Sequence, residues 1–199
     1  MRSRILAATV LVAVTATLAF ADDRKASSAA QQQAEMEAMM KAATPGDAHK
    51  KLSPMAGNWT VEVKMWAAPG ALPVAGSGAA ENSWTLDGRW LEQHFTGTFM
   101  GMPFTGVGYT GYDNIKKKYV GTWMDTMTTS MMVSSGKAEA DGKSFTFSST
   151  MDDPMTGKSS PIKEKVTVAD DDHHMLEMWG AAPDGKMFKM MEINYTRKK

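Results

Sequence analysis

The chain has 199 residues, 22 basic and 22 acidic side chains, 19 methionines and no cysteine. This length allows one ordinary domain or two very small ones. The balanced charge offers no basic patch for a phosphate backbone, so we expect no nucleic-acid partner. The absence of cysteine excludes disulfides, thiolate metal sites and cysteine nucleophiles.

The first 21 residues have the pattern of a cleavable secretory signal peptide. Arg2 and Arg4 form a positive start, residues 5–18 are mostly apolar, and Ala19-Phe20-Ala21 is a small-residue cleavage site. No later segment approaches the roughly 20 apolar residues of a membrane-spanning helix. We therefore predict a periplasmic or secreted bacterial protein with no integral membrane span after cleavage.

Two kinds of segment are expected between the cleavage site and residue 57. Residues 22–33 are small and polar, which predicts a flexible leader. Residues 34–56 form a predicted helical segment, because Met36, Met39 and Met40 recur at helical spacing and build one apolar stripe. Pro45 is suited to the first position of a second short helix.

From residue 57 to 199 the hydrophobic period is two. Trp59, Val61 and Val63 alternate with polar residues, as in a half-buried strand, and nine similar runs follow. Turn pairs such as Asp87-Gly88 separate the runs. Closing such a meander removes its unpaired edges, whereas two packed sheets need longer connections. We predict a mainly β fold: a single up-and-down antiparallel β-barrel of about ten strands, preceded by one or two short helices.

Two residues at opposite ends of this region form a first family resemblance. Gly57-Asn58-Trp59 opens the first strand, and Arg197 lies near the end of the last. The pair resembles the lipocalin and calycin arrangement, in which a basic side chain covers a tryptophan at the closed end of the barrel. The resemblance implies that Trp59 and Arg197 close one end, through a cation–π contact of about 0.5–2 kcal/mol.

A longer resemblance extends over about residues 45–199. The segments that carry it are Asp87–Glu92, Met100–Phe104, Gly111–Asn114, Lys117–Tyr119, Thr122–Asp125 and Met191–Arg197. They are similar to the bacterial family called domain of unknown function 1579. This resemblance implies a lipocalin-like barrel and no settled activity.

Two strands carry polar and aromatic side chains that are suited to a ligand site. The third strand places Trp90, Glu92 and His94 on one face, and the fifth strand places Tyr119, Trp123 and Asp125 on one face. If both faces point inward, carboxylates, an imidazole and aromatic walls meet in the cavity. A register shifted by one residue on the third strand would place Leu91 and Phe95 inside instead.

The apolar residues favour binding over catalysis. A ten-stranded barrel is wide enough to enclose a small ligand, and flexible methionines adapt to ligands of varied shape. We predict a small hydrophobic or amphipathic ligand. The predicted lining residues are Trp84, Glu92, His94, Met102, Trp123 and Asp125. An enzyme using Glu92, His94 and Asp125, or an interaction protein with a filled barrel, are the alternatives.

We predict neither a cofactor nor a metal. The sequence has no G-x-S-x-G elbow, P-loop or Rossmann glycine pattern. His173 and His174, near Met175 and Met178, have the soft composition that can hold Cu(I). Adjacent residues of a strand point to opposite faces, however, so these two histidines are not expected to share one ion.

Overall fold

A computed structural model describes residues 13–153 and 155–199 of the chain, with side chains from residue 28 onward. The beginning of the predicted signal peptide, residues 1–12, lies outside the described residues. The chain divides into two compact units at Ala43, and the second unit runs from Thr44 to Lys199.

The first unit contains one long helix, α1, Ala13–Ala43. It continues through residues 22–33, which corrects the prediction of a flexible leader there. The alanines and glutamines of this segment have high helix propensity, and Gln31 and Gln33 donate hydrogen bonds of 3.1 Å each to Glu35 and Glu37, one turn onward. None of the helices in the described part of the chain combines the length and apolarity needed to cross a bilayer.

The second unit is a closed barrel of ten antiparallel strands, which confirms the predicted fold. A short helix α2, Asp47–Lys50, and a 3₁₀ helix, Ser53–Met55, precede the strands. The strands are β1 Gly57–Met65, β2 Val74–Thr85, β3 Trp90–Phe99, β4 Met102–Asp113, β5 Lys118–Asp125, β6 Met132–Ala138, β7 Ser144–Asp152, β8 Ser159–Val168, β9 His173–Ala181 and β10 Met187–Arg197. Each strand pairs with its neighbours along the chain, and β1 pairs with β10 to close the cylinder.

The up-and-down topology gives the barrel two distinct ends. We call the end where β1 begins the closed end, because α2 and the 3₁₀ helix cover it. Leu52 of this cover is fully buried, and the Tyr119 hydroxyl donates a hydrogen bond of 2.8 Å to the Ala48 carbonyl. We call the opposite end the mouth. It carries the connections that follow β1, β3, β5, β7 and β9.

Two clusters of buried side chains fill the closed half of the barrel. The cluster beneath the cover consists of Leu52, Met55, Leu91, Tyr119, Phe145, Phe147 and Val168. The second cluster consists of Trp59, Val61, Ala80, Phe95 and Tyr195. Members of both clusters come from alternate positions along their strands, so one face of each strand points into the barrel.

Candidate functional site

The closed end is held by Trp59 and Arg197, the two residues that the lipocalin resemblance singled out. The guanidinium carbon of Arg197 lies 4.2 Å from the centroid of the Trp59 ring. Arg197 also donates hydrogen bonds of 2.9 Å each to the carbonyls of Ala56 and Pro54. The Trp59 indole N–H donates to the Met55 carbonyl at 3.0 Å. The last strand is thereby tied to the cover and to the first strand.

A polar network crosses the interior next to this seal. Asn82 donates to the Met55 carbonyl at 2.8 Å, and Gln93 donates to Asn82 at 3.0 Å. A hydrogen bond joins the Gln93 side chain to the Tyr195 hydroxyl, and burial raises the pKa of Tyr195 to about 12. These pairings satisfy polar groups that would otherwise be costly to bury. The network therefore belongs to the packed interior of the closed half.

The side chain of His174 is buried in the same packed interior, so it is not an exposed metal ligand. Its ring stacks on Tyr195 with centroids 4.1 Å apart and meets the Trp59 ring edge-on at 4.2 Å. Burial, with a smaller effect of the Arg197 charge, lowers the pKa of His174 to about 3. The neighbouring His173 is exposed and lies 2.8 Å from an Asp170 oxygen. The two histidines thus point to opposite sides of the wall.

Burial of the inner face decreases from the closed end to the mouth. On β1, Trp59 and Val61 are 0% exposed, whereas Met65 is half-buried. On β7, Phe147 is buried and Met151 is 42% exposed. The inner face is therefore inaccessible to solvent in the closed half and accessible in the half next to the mouth.

Trp123 and Asp125 lie on the inner face of the mouth half. Trp123 pairs with Gly108 and Met132, and Asp125 pairs with Gly106. A Cβ atom added at Gly108 would lie 2.8 Å from the Trp123 ring, and one at Gly106 would collide with the same ring. The two glycines thus let the indole lie against the barrel wall, where it also packs against the cluster that contains Trp59 and Phe95.

Local hydrogen bonds hold the Asp125 carboxylate beside that indole. The Trp123 indole N–H donates to Asp125 Oδ2 at 2.9 Å, and the Met127 backbone N–H donates to Oδ1 at 2.8 Å. Both oxygens therefore already have partners. Asp125 fixes the orientation of Trp123 and the start of the following loop.

Glu92 and His94 are not on the inner face, so β3 has the alternative register that the sequence left open and these two residues do not line the interior as predicted ligand-binding residues would. Leu91 and Phe95 of β3 are buried in the two core clusters, so the residues that alternate with them face outward. On the outer wall, Glu92 accepts a 2.8 Å hydrogen bond from Tyr109 and lies 2.9 Å from His94 Nε2. The hydrogen bond from Tyr109, and to a smaller extent the one with His94, lowers the pKa of Glu92.

The two remaining predicted lining residues lie at opposite ends of the barrel. Trp84 packs against the cluster beneath the closed-end cover. Met102, the first residue of β4, pairs with Phe99 at the mouth and is exposed. The six predicted residues therefore do not form one site. Trp123, Asp125 and Met102 lie in the mouth half, while Trp84 belongs to the closed half and Glu92 and His94 to the outer wall.

The structure adds Glu164, which the sequence reasoning missed. Glu164 is buried on the inner face of β8, between Phe147 of β7 and Met178 of β9 in the strand pairing. The Ser149 hydroxyl donates to its carboxylate at 2.9 Å, and burial raises the pKa of Glu164. Within the described residues, no cationic side chain lies within ion-pair distance of it.

A signal for Glu164 is present in the sequence. It shares the period-two face of Ile162 and Val166, whereas Lys163 and Lys165 occupy the other face. A carboxylate in an apolar alternation is unusual, because burying a charge without a partner is costly. Such buried carboxyl groups with raised pKa values are concentrated at functional sites.

Comparison with known proteins places the chain in a family and supports the fold. The family described as "Protein of unknown function (DUF1579)" matches residues 44–197. No functionally curated protein sequence matches the chain. The crystal structure of Rv2717c from M. tuberculosis is similar with a TM-score of 0.59 and 13% identity, covering 78% of this chain and 100% of that one.

A redesigned β-barrel is also similar, with a TM-score of 0.39 and 14% identity over 80% of this chain and 96% of that one. The likeness to Rv2717c, at its low identity, shows a shared barrel fold. The family match extends over α2, the 3₁₀ helix and all ten strands. The chain therefore belongs to the DUF1579 family of proteins of unknown function, as its sequence motifs predicted.

Proposed function

We propose that the protein binds a small apolar or amphipathic molecule in the mouth half of its barrel. The observation that carries this proposal is the difference in burial along single strands. The inner face is sealed at the closed end, yet Met65, Phe104 and Met132 are only partly buried near the mouth. Inner side chains that solvent reaches through one end are the usual architecture of a ligand pocket.

The chemistry of these inner side chains suits an adaptable site for apolar groups. Methionine is unbranched and polarizable, so a lining of methionines fits ligands of varied shape. Trp123 offers a flat aromatic surface against the wall. Glu164 and Ser149 supply a polar anchor deeper in the barrel, in an environment where a hydrogen bond to a ligand is strong.

The enzyme alternative requires Glu92, His94 and Asp125 to lie in one cavity, and these three side chains do not lie together. Glu92 and His94 face the outer wall while Asp125 faces the interior, so the three side chains are on two sides of the sheet. Asp125 is already committed to Trp123 and Met127. Binding is therefore the function that the arrangement supports best.

We also propose that the protein is exported, on the basis of the signal-peptide pattern of residues 1–21. N-terminal sequencing of the protein from a producing bacterium tests this directly. Export with cleavage predicts a mature chain that starts at Asp22. An uncleaved chain that is found only in the cytoplasmic fraction contradicts the proposal.

The binding proposal is tested with an apolar fluorescent probe, N-phenyl-1-naphthylamine, and a pair of neighbouring substitutions. Met132 pairs with Trp123 on the inner face, and Val133 lies next to it on the outer face. Removing one apolar side chain from the pocket, in Met132→Ser, is expected to weaken probe binding roughly tenfold. Val133→Ser, the matched control, is expected to leave the affinity unchanged.

Two results would contradict the binding proposal. The first is a wild-type protein that shows no saturable probe binding. The second is an equal loss of affinity in Met132→Ser and Val133→Ser, because the probe would then be outside the barrel. Native mass spectrometry of protein purified from its own host complements the titration by identifying a bound molecule by mass.

A further inference from the structure

Four of the five mouth connections carry an exposed apolar side chain, and the fifth is followed directly by exposed Met187, the first residue of β10. These five side chains, which we call the apolar tips, are Leu72, Met100, Met127, Met155 and Met187. Leu72 is 90% exposed and Met155 is 93% exposed. Since the five connections alternate with the closed-end turns along the chain, all five side chains surround the same opening. Exposed apolar side chains grouped at one end of a molecule in this way are typical of an interaction site.

The same connections carry little charge. Those after β1, β3 and β5 contain no acidic or basic residue, and the one after β7, which carries Met155, contains one charge of each sign, Asp153 and Lys158. In the connection after β9, Asp184 and Lys186 form a pair at 3.6 Å. By contrast, the closed-end turn after β8 contains Asp170, Asp171 and Asp172. The mouth connections therefore carry no net charge, which suits an uncharged or zwitterionic surface.

The backbone geometry at Met100 indicates that its side chain has a role other than stabilising the turn. Met100 has φ of 53° and Gly101 has φ of 77°, which is the left-handed geometry of a two-residue hairpin turn. Glycine or asparagine adopts this geometry at lower cost than methionine. A bulky apolar side chain is thus presented to solvent from a position where a small polar residue would be more stable.

We propose that the mouth docks on the surface of a lipid bilayer, with the five apolar tips inserted among the lipid headgroups. The proposal rests on the exposed loop tips and does not depend on the ligand proposal. Docking on a bilayer would, however, let an apolar ligand pass directly between the bilayer and the mouth. Contact with hydrocarbon is confined to the tips, because the outer wall carries charges such as Glu62, Lys64 and Lys163. Shallow insertion of apolar side chains is sufficient for interfacial binding.

The natural absence of cysteine makes a site-specific test possible. Met155→Cys at the mouth and Ile115→Cys at the closed end, both on exposed side chains, are labelled with bimane in the full chain. Each labelled protein is mixed with phosphatidylcholine vesicles that contain a doxyl-labelled lipid quencher. We expect strong quenching at position 155 and none at position 115, since only the mouth reaches the bilayer.

A second set of variants measures the contribution of the tips. Replacing Met100 or Met127 with serine, one at a time, is expected to lower the vesicle partition coefficient roughly tenfold for each methionine fully inserted. Val133→Ser, on the outer wall, is expected to leave the partition coefficient unchanged.

Three results would overturn the docking proposal. One is an absence of quenching at position 155, even if the chain binds to the vesicles through residues 1–43. Another is equal quenching at positions 155 and 115. The third is a blue shift of the position 155 label that grows with protein concentration without vesicles, because the mouth would then bind a second copy of the chain.

Discussion

The closed end and the mouth belong to the same ten strands, yet they differ in burial, polarity and charge. At the closed end, Arg197, Trp59 and Leu52 are tied together by stacking, hydrogen bonds and full burial. At the mouth, apolar side chains such as Met155 and Leu72 are exposed on loops that carry no net charge. This difference is the basis of our proposal that the closed half supplies the folding stability and the mouth half supplies the contacts with other molecules.

The largest difference is expected between two leucine substitutions, one at each end of the barrel. Leu52 is 0% exposed under the cover, so Leu52→Ala leaves a cavity and should lower the free energy of unfolding by about 2–5 kcal/mol. Leu72→Ala at the mouth should change it by less than about 0.5 kcal/mol. Urea denaturation of both variants measures the contrast. Similar losses in the two variants would remove the distinction between the ends.

The pH dependence of stability offers a second test at the closed end. Burial lowers the pKa of His174 from its ordinary value of 6.5 to about 3 in the folded protein. Between these two values the unfolded chain binds the proton and the folded one does not, so stability is lost as pH falls through this window. The loss can reach about 5 kcal/mol.

The matched variants for this test are His174→Phe and His173→Phe. His174→Phe keeps an aromatic ring beside Tyr195 but cannot titrate, so it should flatten the pH dependence between about 6.5 and 3. His173→Phe, on the outer side of the wall, should leave that dependence as in the wild type. Denaturation at a series of pH values would refute the assignment if both variants behaved alike.

A smaller loss is expected from removing the arginine that covers Trp59. Arg197→Gln abolishes the cation–π contact and the charged hydrogen bonds to Ala56 and Pro54, at a cost of about 2–3 kcal/mol for a partly exposed side chain. Lys198→Gln, on the next and exposed residue, should be nearly neutral. Thermal or urea unfolding of the pair is the measurement. An unchanged stability in Arg197→Gln would show that the seal does not depend on this side chain.

The smallest effect is expected on the outer wall. Glu92 is bonded to Tyr109 and His94 outside the barrel, so Glu92→Gln should leave the affinity for an apolar probe within about twofold of the wild type. A probe titration checks this expectation. A large loss of affinity would restore Glu92 to the binding site and contradict the strand register.

Much of the fold was accessible to sequence reasoning, because alternation and tight turns act locally. The period of two on β1 and the turn pairs between strands predicted a closed meander. On β3, however, Trp90 and Leu91 are adjacent, so apolar side chains occupy both faces. Pairing with β2 and β4 decides which face is inside, and this pairing is a long-range property that the strand alone does not contain.

The candidate site was predictable only in part. Trp123 and Asp125 share a face with Tyr119, and that face is the inner one. Glu164 alternates with Lys163 and Lys165, and the strand alone does not show that the face of Glu164 is the buried one. The helix across residues 22–33 was missed for another reason: helix propensity there outweighs the lack of an apolar stripe.

The central claim is that the mouth half of the barrel binds a ligand and that the closed half supplies the stability of the fold. It is tested most directly by measuring probe affinity and the free energy of unfolding on Met132→Ser and Leu52→Ala in parallel. We expect Met132→Ser to lose roughly tenfold in affinity with a small change in stability, and Leu52→Ala to lose stability while its folded molecules keep the wild-type affinity. Affinity lost in Leu52→Ala and retained in Met132→Ser would contradict the account.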